Sequence, residues 1–212
     1  MKKVIVKENT DKIDYYFNSF LKWKNELIKK NQFEDDSLFP QWKEIYSYYK
    51  KILQIIDMND FQNNSIEKTV YLIGRDNEDE ELIEIIFESA KDRNKLVRSI
   101  INSKDVDAKW QLVNCISKNN YSSYINEIKF LFEDENEYVS RIALLALGYF
   151  NVDELDNFLE RAWNTNNEYQ RIAVLNISFE NNLKCLQKYL ELAKKDGRHF
   201  LMMNVIKIEE NT

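Results

Sequence analysis

Nucleophiles, proton carriers and metal ligands are scarce in this chain. His199 is its sole histidine. That excludes multi-histidine metal sites and makes any Ser-His-Asp or Cys-His arrangement rest on one residue. It follows KKDGR (194–198) at the start of the last helix, a position that reads as structural or solvent-exposed. Cys115 and Cys185 are the only cysteines. Each occupies an apolar helical position, has no activating base near it in sequence and reads as a reduced core thiol. Carboxylates are plentiful in DNEDEE (76–81), EDENE (133–137) and DELD (153–156). Two within one run could move a proton or hold Mg²⁺ or Ca²⁺. All three runs lie in loops or at helix N-termini, however, where acidic groups complement the helix dipole. Gly74, Gly148 and Gly197 make no phosphate-cradling loop; each falls at an expected helix end, where a left-handed residue closes a helix. The sequence indicates no catalytic residue, no metal site and no cofactor.

The elements that carry these residues are helical. Three Gly and one Pro in 212 residues are too few for a turn-rich sheet protein and favour long helices joined by Asn/Asp loops. The opening MKKVIVKENT has too short an apolar run for a signal peptide, and no stretch approaches the ~20 apolar residues of a membrane span. Together with the unpaired thiols this places the chain in the cytoplasm. A net charge of -6 and a pI near 5.1 weigh against nucleic-acid binding and suit a basic partner. The plainer reading of the same charge is solubility.

Residues 1–62 read as an N-terminal helical hairpin or cap. Its first helix, from Asp11 to Lys30, carries the stripe Ile13, Tyr16, Phe17, Phe20, Leu21, Leu27, Ile28. The polar break NQFEDDS (31–37) follows. A second helix starts near Pro40 and buries Trp42, Ile45, Tyr46, Tyr49, Ile52, Leu53 and Ile56. Residues 63–212 behave differently, because shorter amphipathic helices recur there. EYVSRIALLALG starts at Glu137 and EYQRIAVLNIS at Glu168, with Arg141-Ile142-Ala143 and Arg171-Ile172-Ala173 30 residues apart. Leu112, Ile142 and Ile172 coincide at the same spacing, as do Cys115, Leu145 and Leu175. A step of 31 places Leu155, Phe158, Leu159 and Ala162 on Leu186, Tyr189, Leu190 and Ala193. Two amphipathic helices per period of about 30 residues are the mark of an α-solenoid. Residues 93–103 do not fit the period.

On these residues the chain resembles the HEAT-repeat family, in particular the short repeats of bilin lyases and related proteins. Those repeats centre on Val-Arg-x-x-Ala-x-x-Ala-Leu-Gly. Val139 to Gly148 fits, with Ser140 in the usual Arg slot; Tyr169 to Ser178 fits more loosely, with Gln170 there. Lys109 to Lys118 keeps the apolar spacing, and Ser65 to Gly74 keeps the closing Ile-Gly. The resemblance implies an all-α superhelix of four to five helical hairpins behind the N-terminal cap, its concave face made by the second helix of each repeat. The missing Arg implies that the family's ladder of polar contacts is absent. The His-Glu pairs by which some HEAT enzymes bind di-iron have no counterpart, so that activity does not carry over.

The outward positions of the second helices are then Glu84, Glu88, Asn126, Glu127, Glu154, Asp156, Asn157, Glu160, Arg161, Gln187 and Glu191, a mostly acidic candidate partner-binding face. Tyr15, Trp23, Tyr48, Tyr121 and Tyr124 fall off or at the edge of the apolar stripes, and Tyr121 and Tyr124 are the aromatic anchor candidates for that face. The leading expectation is a non-catalytic protein-binding module, most specifically a bacterial immunity protein that neutralises a basic toxin. A DNA-repair protein of the alkyl-purine glycosylase type, using Trp110, Trp163 and Asp156, is the alternative. A scaffold, or a lyase-like chaperone for a linear tetrapyrrole, follows from the subtype alone. Neither the partner nor the oligomeric state follows from the sequence.

Overall fold

The computed structural model describes the backbone of residues 2–32 and 35–211, with side chains from Thr10 onward. Gln32's neighbours at 33–34, inside the expected polar break, lie outside the described residues. The described residues hold twelve α-helices and no β-strand. They are α1 (Lys2–Lys29), α2 (Trp42–Ile52), α3 (Asn63–Arg75), α4 (Glu81–Ser89), α5 (Asn94–Asn102), α6 (Val106–Lys118), α7 (Ile125–Phe132), α8 (Glu137–Tyr149), α9 (Leu155–Asn164), α10 (Glu168–Glu180), α11 (Leu186–Asp196) and α12 (His199–Glu209). The first helix therefore begins nine residues before the expected Asp11, with nothing in 2–10 to break it. Residues 1–115 and 116–212 form two compact units.

In the first unit α1 packs on α3, α2 on α4, and α3 on α5. Aromatic rings fill the space between α1 and α2: Phe20 lies 5.1 Å from Phe39 and 5.9 Å from Trp42, and Trp42 stacks on Tyr46 at 5.8 Å. Several polar groups buried in this unit are paired with one another. Tyr49 and Thr69 share a 2.6 Å hydrogen bond, and Thr69 donates to the Ser65 carbonyl. Asp76 is fully buried; it accepts from the Tyr46 hydroxyl and, at 2.7 Å, from the Leu82 N–H in the first turn of α4.

The second unit is built in two layers. In one, α10 packs on α8 and α12 packs on α10. In the other, Phe132 of α7 meets Phe158 of α9 at 5.1 Å, and Trp163 of α9 meets Tyr189 of α11 at 4.9 Å. The helix starts give the register: α6, α8, α10 and α12 begin at residues 106, 137, 168 and 199, each 31 after the last. The 30-residue match of Arg-Ile-Ala is one residue out of this register, and the two arginines accordingly do different things. Arg141 pairs with Glu137 on its own helix, at 3.0 Å. Arg171 donates from Nε to the Trp163 carbonyl at 3.0 Å, and its structural equivalent is Ser140, whose hydroxyl reaches the Phe132 carbonyl at 2.7 Å. Both side chains satisfy the last turn of the helix before, one with a hydroxyl and the other with a guanidinium. A polar contact also joins the two Arg-slot residues, since Gln170 Nε2 donates to Ser140 Oγ at 3.3 Å.

The turns keep the same register. Asn120, Asn151 and Asn182 all have positive φ (55°, 47° and 51°). Around each, the residue after Asn donates back to Ile116, Leu147 or Ser178, and the Asn N–H donates to Ser117, Gly148 or Phe179. That bond pair is the Schellman closure, with Asn in the left-handed slot that glycine more often fills. Of the three glycines only Gly197 is left-handed, with φ 72°. Gly74 and Gly148 are the last-turn helical residues of α3 and α8, and they serve close approach instead. A Cβ on Gly148 would stand 2.7 Å from Ile177 of α10, and one on Gly74 would collide with the Asp105 carboxylate.

Candidate functional site

The candidate face divides between the units. Glu84 and Glu88 belong to α4 of the first unit, where Glu88 is exposed and Glu84 half-buried. Glu84 lines a cleft of about 590 Å³ together with Trp42, Tyr46, Asp79 and Glu81. Behind it, burial pushes the Asp76 carboxyl up to about 6, against the opposing pull of its bonds from Tyr46 and Leu82. The same burial, with the neighbouring Asp76 carboxylate, holds the Tyr46 hydroxyl well above its ordinary range.

The remaining candidates stand on α7, α9 and α11 and on the residue that precedes α9. Buried Leu155, Phe158, Leu159 and Ala162 fix the inner stripe of α9, so Asp156, Asn157, Glu160 and Arg161 are forced outward. On α11, buried Tyr189, Leu190 and Ala193 leave Gln187 and Glu191 outward in the same way. Asn126 on α7 is exposed and Glu127 half-buried. The face is less uniformly acidic than its composition suggests, because two ion pairs cross from α7 to α9. Lys129 reaches Glu154 at 2.8 Å and holds that carboxyl below its usual range. Arg161 grips both oxygens of Glu133 at 2.7 and 2.5 Å. Such exposed pairs set register more than stability.

Asp156, Glu160 and Glu191 have no ion-pair partner among the described residues. Asp156 and Glu160 stand one turn apart on α9 and flank Tyr189 of α11. Burial first, then Cys185, Glu160 and Asp156, push that tyrosine's hydroxyl up to about 12. Like charges at i and i+4 disfavour a helix by a few tenths of a kcal/mol. A cation brought against them would reverse that repulsion.

Tyr121 and Tyr124, the expected anchors, precede and close the 3₁₀ turn Ser122–Tyr124 ahead of α7 and are both half-buried. Phe130 is the ring on α7 that does reach solvent, 60% exposed. It falls between Ile128 and Phe132, off their stripe, so the spacing alone could have singled it out. Trp163 is buried against Tyr189 and beneath the Arg171 guanidinium, so its ring is not offered to a flipped base. The other layer carries a feature that the sequence reading passed over: Tyr138, Tyr169 and Phe200, each 31 residues after the last, occupy the second position of α8, α10 and α12 and are all exposed. Arg141 bridges the first two, 5.1 Å from one ring and 5.4 Å from the other.

Among the described residues no three His, Cys, Asp or Glu side chains are grouped so as to hold a metal ion, and no helix is long and apolar enough to cross a membrane. No protein-family model matches this sequence, and no curated protein or solved structure matches it either.

Proposed function

We propose that this chain is a non-catalytic HEAT-like repeat protein, an α-solenoid of stacked helical hairpins behind an N-terminal cap, that binds a basic protein. Its most specific form is a bacterial immunity protein, held in the cytoplasm, that neutralises a basic toxin. The observation that carries the partner's charge is the pair Asp156 and Glu160, exposed, one turn apart and without a counter-ion, beside the self-neutralised pairs Lys129–Glu154 and Arg161–Glu133. A lysine or arginine docking there would gain two carboxylates that no basic group of the described residues already holds, and complementary charge of this kind gives specificity and fast association. The 31-residue register and the two helix layers of residues 116–212 support the solenoid reading.

The test is affinity capture with the tagged chain from its own organism, at low and high salt, followed by a titration with the purified partner. A single basic protein should bind in stoichiometric amount. Its affinity should fall at least tenfold in the Asp156→Lys, Glu160→Lys double variant and only a few-fold in Glu154→Lys, whose carboxylate is already paired. Equal binding by the double variant and the parent would overturn the assignment of this face. Retention of nucleic acid in place of a protein would overturn the function.

A further inference from the structure

We infer that α12 pairs with α12 of a second copy of this chain, through the edge formed by His199, Met202, Met203, Ile206 and Glu210. The register of the second unit identifies this edge. The same five positions are Glu137, Ser140, Arg141, Leu144 and Gly148 in α8, and Glu168, Arg171, Ile172, Leu175 and Phe179 in α10. In α8 they receive the next helix of the layer. Ser140 accepts from Gln170, Arg141 lies over the Tyr169 ring, and Gly148 makes room for Ile177. In α10 they receive α12, where Glu168 accepts from the Leu201 N–H at 3.0 Å. The central residue of the set is fully buried in both helices, with Leu144 and Leu175 each at 0%. Its equivalent in α12 is Ile206, which is 51% exposed, beside Met203 at 54%. A helix-receiving surface of the same kind is thus uncovered on α12.

The occupant follows from how the edge reads in reverse. Its members fall at i, i+3, i+4, i+7 and i+11, a single helical stripe. Paired antiparallel about a two-fold axis between residues 204 and 205, the stripe complements itself, as a closed isologous contact must. Met203 meets Ile206 of the other copy at the centre. His199 meets Glu210 at each end, an imidazole N–H donating to a carboxylate, and Met202 lies along the aliphatic stem of Lys207. A parallel pairing would instead set Glu210 against Glu210. The stripe is about 16 Å long at ~1.5 Å per residue. One such helix face per copy is small against the ~800 Å² per partner of a stable interface, so the dimer is a weak, concentration-dependent one.

Sedimentation equilibrium on the whole chain, from about 10 µM to 1 mM, reads this directly. The parent should pass from monomer towards dimer across that range. Ile206→Glu should raise the dissociation constant at least tenfold while leaving the helical circular dichroism and the melting temperature unchanged, since the position is exposed. His199→Glu should weaken the dimer, and adding Glu210→Lys in the same chain should restore it, because the partners then exchange charge. A parent that stays monomeric at 1 mM would overturn the inference and leave the edge to a helix of another protein. So would a dimer indifferent to Ile206→Glu, or a charge exchange that fails to restore association.

Discussion

Asp76 lies outside the exposed face, and its environment shifts it well away from its ordinary chemistry. Its carboxyl is fully buried, capping the first turn of α4 and accepting from Tyr46, and its pKa rises from 3.8 to about 6. The folded state therefore holds this proton more tightly than the unfolded chain does. The stability so contributed is complete below about pH 4 and is lost as the pH rises through 6, amounting to about 2–3 kcal/mol for a shift of this size. Asp76→Asn keeps an acceptor for the Leu82 N–H and carries no charge. It should melt higher than the parent at pH 8, and the gap between the two melting curves should close towards pH 4. A gap independent of pH would mean that Asp76 is a structural polar group and nothing more. Asp196 runs the other way. Hydrogen bonds from Arg198 and Arg171 hold its carboxyl well below the usual range, so it favours the fold above pH 4 and loses that contribution in acid.

At the scale of elements, the turns set the register of the second unit more sharply than the apolar stripes do. Asn120, Asn151 and Asn182 each lie two residues past the end of α6, α8 and α10, in a backbone conformation that costs most side chains about 1–2 kcal/mol. Asn tolerates it better than most, and glycine best. Asn151→Gly should therefore leave the melting temperature equal or slightly higher, and Asn151→Val should destabilise by about 1 kcal/mol or more, as measured by urea unfolding. The reverse order would deny the Asn its capping role.

This also explains what was legible in the sequence. Helical class, the inner stripes of α9 and α11 and the outward position of Asp156 and Glu160 follow from spacing, because burial selects apolar residues every three to four positions. Matching the shared Arg-Ile-Ala at Arg141 and Arg171 puts the register one residue short of the 31 that the helix starts and caps give. Asn136 and Asn167, which each accept two first-turn N–H groups, already stand 31 residues apart. The ion pairs Lys129–Glu154 and Arg161–Glu133 were not legible, since they join side chains 25 and 28 residues apart and depend on how α9 is staggered against α7.

Across the whole molecule the charge is spread over the chain, but the surfaces of residues 116–212 are not alike. The layer of α7, α9 and α11 is laced with charge. The layer of α8, α10 and α12 presents Tyr138, Tyr169 and Phe200 in single file and ends on the Met203 and Ile206 edge. The basic partner and the second copy proposed above would then not compete for the same helices. The recurring Asn closures have a further consequence for length. Asn151-Val152 and Asn182-Leu183 are interchangeable junctions, with the same backbone sign and the same pair of bonds. Excising residues 152–182 would join Asn151 to Leu183 and bring α12 onto α8 in place of α10, setting Ile208 where Ile177 now meets Gly148. In stacked repeats each unit depends chiefly on its neighbours. The shortened chain should accordingly still melt cooperatively with its helicity per residue intact, and a cut of 30 residues, 152–181, should not. From α6 to α12 the chain is graduated like a ruler in steps of 31, and it should shorten by whole divisions and by no fraction of one.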